Sequence, residues 1–270
     1  MRAKKSLGQN FLRNLDVVAD IIVAADLAVP PPGGGATADT VLEVGPGEGV
    51  LTRALLGAGA NVIAIEKDPR LISLLKQKFP TAQIVGGDVL KIEIWKLIES
   101  ANWAEKSENY KIVANIPYYI TGQFLRKVFE SSHLPSRIVL MLQKEVAERI
   151  VGGNPTSLKL RGARESLLSI SVKAYGTPSI VRYVGRENFE PVPDVDSAVL
   201  LIENISRDFF SAKGGPASGW NEQKFFELVH KGFESKRKQI GKKFGLPGDT
   251  RRAAELTLAD WRKLYLGTKE

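Results

Sequence analysis

Two periods of apolar residues alternate along this chain. Residues 14–27 carry Val17, Val18, Ile21, Ile22 and Ala25 at helical spacing behind Asn14, whose side chain can cap a helix. A run of three prolines and three glycines, 30–35, then breaks regular structure. From there short β-branched runs at 40–44, 61–65, 82–85, 111–114 and 137–142 are separated by amphipathic stretches near 50–56, 69–78, 92–99, 123–129 and 145–151. Strands separated by helices predict right-handed crossovers and a mostly parallel sheet covered on both faces, an α/β fold. Later the pattern changes. Residues 166–174 read as a helix, whereas 179–184 and 197–205 read as strands with no helix long enough to cross between them. That suits an antiparallel pair closing one edge of the sheet. A linker is expected over 206–219, followed by helices over 224–244 and 251–265 that Gly245-Leu246-Pro247-Gly248 separates. The division this predicts is a large domain over 1–207 and a small helical domain over 208–270.

Composition narrows the chemistry. Among 270 residues there is no cysteine, which excludes a disulfide scaffold, thiolate metal sites and thiol catalysis. His133 and His230 are the only histidines and lie too far apart in sequence to suggest a metal pair, so no metal is expected. No apolar run approaches the ~20 residues of a membrane span, and residues 1–13 lack the apolar stretch of a signal peptide. No membrane association and a cytoplasmic location are the expectations. The net charge of +8 is unevenly spread. Residues 1–14 hold Arg2, Lys4, Lys5 and Arg13 with no acid, and 224–270 hold twelve basic against six acidic side chains, so 15–223 nets −2. A near-neutral body between two basic ends suits a polyanion held from two sides.

Candidate chemistry begins at Val44-Gly45-Pro46-Gly47-Glu48-Gly49, a strand running into a glycine-rich turn and then a helix. Glu66 ends the next strand 21 positions after Gly45, where a carboxylate can accept hydrogen bonds from both hydroxyls of a ribose. Gly87-Asp88 follows the third strand, where a carboxylate or its neighbouring amide can meet an adenine amino edge. The turn lacks the Gly-x-Gly-x-x-Gly spacing of a dinucleotide site, and Glu48 would repel a pyrophosphate at the helix N-terminus. S-adenosylmethionine, with a ribose and an adenine but no phosphate, fits better. A nicotinamide dinucleotide remains the alternative, as does plain capping of the following helices by Glu66 and Asp88.

The fourth strand runs out into Asn115-Ile116-Pro117-Tyr118-Tyr119. In an open α/β sheet, ligands bind beyond the carboxyl ends of the strands. Acceptors from the Asn115 amide oxygen and the Pro117 carbonyl can hold both N–H bonds of a planar exocyclic amine out of plane. That localises a lone pair otherwise delocalised into the ring. Stacking on an exposed Tyr118 would fix the base, and transfer would then rest on positioning. The bland counterpart is a strand-ending Asn, a Pro turn and core tyrosines.

With these residues in view, the sequence resembles the ribosomal RNA adenine dimethylases nearly end to end. Lys5-Ser6-Leu7-Gly8-Gln9-Asn10-Phe11-Leu12 is similar to the family's N-terminal signature. Residues 43–49, Glu66, Gly87-Asp88-Val89 and 115–118 are similar to its cofactor and catalytic motifs, and 143–149 and 189–199 to two further blocks. The resemblance implies a Rossmann-like class I methyltransferase sheet with a small C-terminal helical RNA-binding domain. Asn10 and Leu12 would line the S-adenosylmethionine site with Gly45, Glu66, Asp88 and Asn115, and Phe189 would stack on a target base opposite Tyr118. It implies dimethylation at N6 of two adjacent adenines in the 3′-terminal hairpin of small-subunit rRNA during ribosome assembly, by a monomer. Large-subunit rRNA methylation of the erythromycin-resistance type and a non-catalytic assembly factor are the rivals. One departure is Asp194, where the family usually has lysine. In the basic C-terminal segment, Lys231, Lys236, Arg237, Lys238 and Lys242 are expected to face RNA, while Phe226, Val229, Phe233, Ile240 and Phe244 face a core.

Overall fold

The computed structural model describes residues 3–4, 7–27, 38–101, 110–152, 164–211, 221–235, 238–246 and 248–267. The expected break at 30–35 and the glycines of the 206–219 linker lie outside these, as do Lys5 and Ser6 of the N-terminal signature and Lys236 and Arg237. Two compact units result: 1–147 with 179–205, and 148–178 with 206–270.

In the first unit, β1 (Phe11–Leu12) and α1 (Leu15–Ala25) lead into alternating strands and helices. These are β2 (Thr40–Val44), α2 (Val50–Gly57), β3 (Asn61–Glu66), α3 (Pro69–Lys78), β4 (Gln83–Gly86), α4 (Ile94–Ser100), β5 (Tyr110–Asn115), α5 (Thr121–Glu130) and β6 (Arg137–Gln143). Further along the chain come α6 (Lys144–Val151), which crosses the boundary between the units, and α7 (Leu167–Tyr175) of the second unit, before β7 (Thr177–Val184), β8 (Phe189–Glu190) and β9 (Ser197–Glu203) complete the first. The seven-stranded sheet has the order β4-β3-β2-β5-β6-β9-β7. Its first five strands are parallel and β9 is antiparallel to β6, with Gln143 opposite Ser197. The expected pair β7 and β9 therefore does close one edge. β2 is buried along its whole length, as a strand covered on both faces must be.

The strand order reverses between β2 and β5. After β2 the chain steps outward to β3 and β4, then returns to the other side of β2. The carboxyl ends of β2 and β5 thus flank a switch point, where an open sheet leaves a crevice for ligand. Val44 lies beside Ala114 there, so Gly45 and Asn115 leave the sheet side by side.

The second unit has its own core. Ile170 of α7 packs with Phe225 and Val229 of α8 (Glu222–Glu234), Ile240 of α9 (Ile240–Phe244), and Trp261 and Leu264 of α10 (Leu258–Gly267). The Tyr175 hydroxyl donates to Glu222, and Glu165 N–H to the Ala254 carbonyl at 2.8 Å. These contacts group 148–178 with the C-terminal helices, where the sequence reading had it in the first domain. Two expected helices also differ. The single helix over 224–244 is two helices, because no apolar residue occurs between Phe233 and Ile240 to hold an intervening turn on the core. The helix expected from 251 starts at Leu258: Asp260 Oδ2 accepts the Thr257 N–H at 2.9 Å and Thr257 Oγ1 accepts the Asp260 N–H at 3.2 Å, a reciprocal cap. Lys231, Lys238 and Lys242 are exposed on this unit, as is His230.

Candidate active site

At the switch point a cavity of about 360 Å³ is lined by Asn10, Leu12, Gly45, Glu66, Asp88, Asn115, Pro117 and Tyr118 among others. Eight of the nine expected site residues thus share one cavity. Only Phe189 is missing from its wall.

The turn after β2 folds as it does because its glycines take left-handed conformations. At Gly47, with φ 59°, an added Cβ would also come within 2.9 Å of the Phe11 ring. Glu66, at the end of β3, is buried and fixes this turn. Its Oε2 accepts the Gly47 N–H at 3.1 Å, and its Oε1 accepts the Asp68 N–H at 2.8 Å. The Lys67 backbone N–H also donates to this carboxylate. Burial raises the Glu66 pKa above its ordinary value, while these backbone donors pull it back.

Beneath the turn, Glu43 of β2 is fully buried. Its Oε2 accepts the Thr52 hydroxyl at 2.6 Å, and its Oε1 has no partner among the described residues. Burial pushes the pKa up to about 8, Thr52 opposing and the Glu66 charge adding. Folding therefore tightens this carboxyl's hold on its proton. The associated stability is complete below the ordinary value of 4.5 and is lost as pH rises through about 8. Glu43→Gln keeps an acceptor for Thr52 without titrating. The wild-type melting temperature should accordingly fall, relative to that variant, between pH 4.5 and about 8; parallel profiles would show that Glu43 titrates normally.

Asn115 ends β5 half-buried. Its Nδ2 donates to the Asn10 carbonyl at 3.2 Å, and no described residue donates to its Oδ1. That bond orients the amide so that oxygen is the end left to accept. Pro117 follows in an extended conformation, but its carbonyl already accepts the Ile120 N–H at 3.2 Å, so one lone pair remains. The sequence predicted an exposed Tyr118. Instead Tyr118 is half-buried, its hydroxyl 2.9 Å from Ser197 Oγ, and burial raises its pKa against that bond. Tyr119 is the exposed ring, at 62%.

Residues 7–13 form a strap over this cavity that periodicity did not disclose. A Cβ on Gly8 would lie 3.4 Å from both Pro117 Cβ and the Tyr119 ring. Gln9 Nε2 donates to Asp68 Oδ2 at 3.0 Å, and Arg70 and Gln9 together hold that carboxyl well below its ordinary pKa despite burial. β1 pairs antiparallel with β8, Leu12 opposite Phe189. Arg13 joins Glu48 at 2.6 Å and Glu190 at 3.0 Å. Phe189 is only 3% exposed and packs into the apolar core with Phe11 and Leu12. As the inward residue of β8, Phe189 places its ring in this core and not on the wall of the cavity.

Because the Arg13 contacts are partly exposed, they add only about 1 kcal/mol to stability at most. Their effect should be on the strap. Arg13→Ala should leave global melting nearly unchanged while accelerating ligand dissociation from the cavity, by stopped-flow; an unchanged off-rate would mean that the strap does not gate it.

The cavity also decides between the cofactor alternatives. The Gly47 N–H is already given to Glu66, and the Glu48 carboxylate stands at the start of α2. A pyrophosphate would meet an occupied donor and an anion there. Acceptors for ribose hydroxyls at Glu66 and for an amino group at Asp88 remain, which suits an adenosine lacking phosphates.

Residues 1–261 match the ribosomal RNA adenine dimethylase family. The ribosomal RNA small subunit methyltransferase A of Dehalococcoides mccartyi is 35% identical over 286 aligned positions, covering 98% of this chain and 88% of the relative. The protein of the same description from Clostridium perfringens is 37% identical over 242, covering 88% and 75%. Among solved structures, a dimethyladenosine transferase from Plasmodium falciparum is similar with a TM-score of 0.72 at 25% identity, covering 96% of this chain and 97% of that one. The 23S rRNA methyltransferase ErmE reaches 0.65 at 25% identity, covering 97% and 100%. A glycine turn braced by a buried carboxylate, an amide-ended strand beside it and a match of this extent lead to one assignment: the chain belongs to the ribosomal RNA adenine dimethylase family.

Proposed function

We propose that this protein transfers methyl groups to N6 of two adjacent adenines in the 3′-terminal hairpin of small-subunit rRNA. The observation that carries the chemistry is the oriented Asn115 amide, which opens into the same cavity as Glu66 and Asp88. Small-subunit RNA is favoured by the descriptions of the relatives at 35–37% identity.

S-adenosylmethionine, held by Asn10, Leu12, Gly45, Glu66, Asp88 and Asn115, would supply an electrophilic methyl group. The protein's task is to make an adenine amine nucleophilic. Asn115 Oδ1 and the free lone pair of the Pro117 carbonyl accept its two N–H bonds and pull the nitrogen out of the ring plane. Tyr118, its hydroxyl tied to Ser197, offers a ring held in one orientation for the flipped base, at a flipping cost of about a few kcal/mol. The proton that the methylated nitrogen sheds can pass to water, so no strong general base is needed, and the neutral Asn115 agrees with that.

The basic residues of 208–270, with Lys231, Lys238 and Lys242 exposed, would hold the RNA backbone. Cytoplasmic action on an assembling small subunit, as a monomer, completes the reading; no described helix is long and apolar enough to cross a membrane. Incubation with labelled S-adenosylmethionine and undermethylated small subunits tests it. Label should appear as dimethyladenosine in small-subunit RNA. Label in large-subunit RNA would favour the erythromycin-resistance type of activity, and no label anywhere a non-catalytic assembly factor.

A further inference from the structure

Lys67 follows Glu66 directly at the carboxyl end of β3, and Asp88 lies just beyond β4. Glu66 pairs with Gly86 across these strands, so both side chains emerge at one rim of the cavity and both line it. Lys67 Nζ donates to Asp88 Oδ2 at 2.8 Å, and the Leu90 N–H donates to Oδ1 at 3.0 Å. Each carboxylate oxygen is thereby engaged once, and the group is held in one orientation. The ammonium is half exposed, and an ion pair of that kind adds little to folding stability. Its consequence is for whatever lies along Asp88.

We propose that Lys67 is a specificity-determining positioning residue of the cofactor site: by clamping Asp88 as an acceptor-only carboxylate, it makes the site accept a 6-aminopurine and reject a 6-oxopurine. The inference rests on the cofactor reading under Proposed function. A 6-amino group donates N–H to the remaining lone pairs of Asp88. A 6-oxo group presents lone pairs to lone pairs and is repelled. The Lys67 hydrogen bond, with that of Leu90, also holds the Asp88 pKa below its ordinary value, so the carboxyl has no proton to offer an oxo group. Without the ammonium, Asp88 keeps only the Leu90 contact. It can then turn away from an amino group, and discrimination falls.

Calorimetric titration of the full chain with S-adenosylhomocysteine and with its hypoxanthine counterpart, S-inosylhomocysteine, reads this directly. Wild type should prefer the adenine compound by about 10²-fold. Lys67→Met should weaken the adenine compound about tenfold and leave the hypoxanthine compound within about twofold, and Lys67→Arg should restore the preference. Melting curves establish that each variant is folded. An unchanged preference in Lys67→Met, or tighter binding of the adenine compound, overturns the role of Lys67 while leaving the cofactor reading intact. A wild-type protein that binds neither compound overturns the cofactor reading and this role with it.

Discussion

Asn115→Ala should lower single-turnover methyl transfer to undermethylated small subunits by about 10³-fold, or ~4 kcal/mol of transition-state stabilisation. The magnitude follows from what Asn115 Oδ1 is asked to do. An adenine amine is nearly planar, and its lone pair belongs to the ring until acceptors pull both N–H bonds out of plane. With one acceptor gone, the Pro117 carbonyl cannot do this alone, since one of its lone pairs is given to Ile120. RNA affinity should change little, because phosphate contacts on the basic surfaces supply most of it. Stability should fall by no more than about 1 kcal/mol, the worth of the half-buried Asn115–Asn10 bond. Asn115→Asp makes the argument sharper. It restores an acceptor but loses the donor to Asn10 and sets two oxygens against each other, so an intermediate rate is expected. Transfer by Asn115→Ala within tenfold of wild type would show that the amide is not used.

The elements that carry this chemistry were legible in the sequence for a physical reason. β2, β3, β5 and β6 are buried on both faces, and such strands are written as near-continuous apolar runs rich in Val, Ile and Leu. Their ends, Val44-Gly45, Glu66 and Asn115, are then located by where each run stops. Residues held by long-range pairing were not legible. β1 and β8 are two residues each, too short for any period, and Arg13 lies 177 positions from Glu190. The N-terminal signature resembled the family's, but only the fold discloses that Gln9 is spent on Asp68 and Arg13 on Glu48 and Glu190. Phe189 shows the same limit. The family resemblance implied a stacking role for this ring, but neither its pairing with Leu12 nor its burial in the core has a signal in the sequence. The same limit applied to Tyr118 and Tyr119, since adjacent rings in one motif give no sequence signal of which is exposed.

Glu66 carries the second large effect and settles an ambiguity that geometry makes plain. Its carboxylate braces the glycine turn through Gly47 and the start of α3 through Asp68 and Lys67, so a purely structural role is a complete explanation of its hydrogen bonds. The ribose reading asks more: that each oxygen also accept a hydroxyl from a bound nucleoside. Glu66→Gln separates the two. The amide keeps the shape and one acceptor oxygen, so one backbone N–H loses its partner, at a cost of about 1–3 kcal/mol. Removing a buried charge whose pKa burial has raised, close to Glu43, offsets part of that loss. Melting should therefore move only modestly. Affinity for S-adenosylhomocysteine should move far more, by about 10²-fold, because two hydroxyl bonds to a carboxylate, each worth about 1.5–3 kcal/mol, give way to one neutral bond and a mismatched donor. The 2′,3′-dideoxy analogue of the ligand closes the cycle: lacking both hydroxyls, it should bind wild type and Glu66→Gln with nearly equal affinity. If the variant instead binds the ribose-bearing ligand as wild type does while melting lower, Glu66 is a brace for the turn, and the ribose is held elsewhere in the cavity.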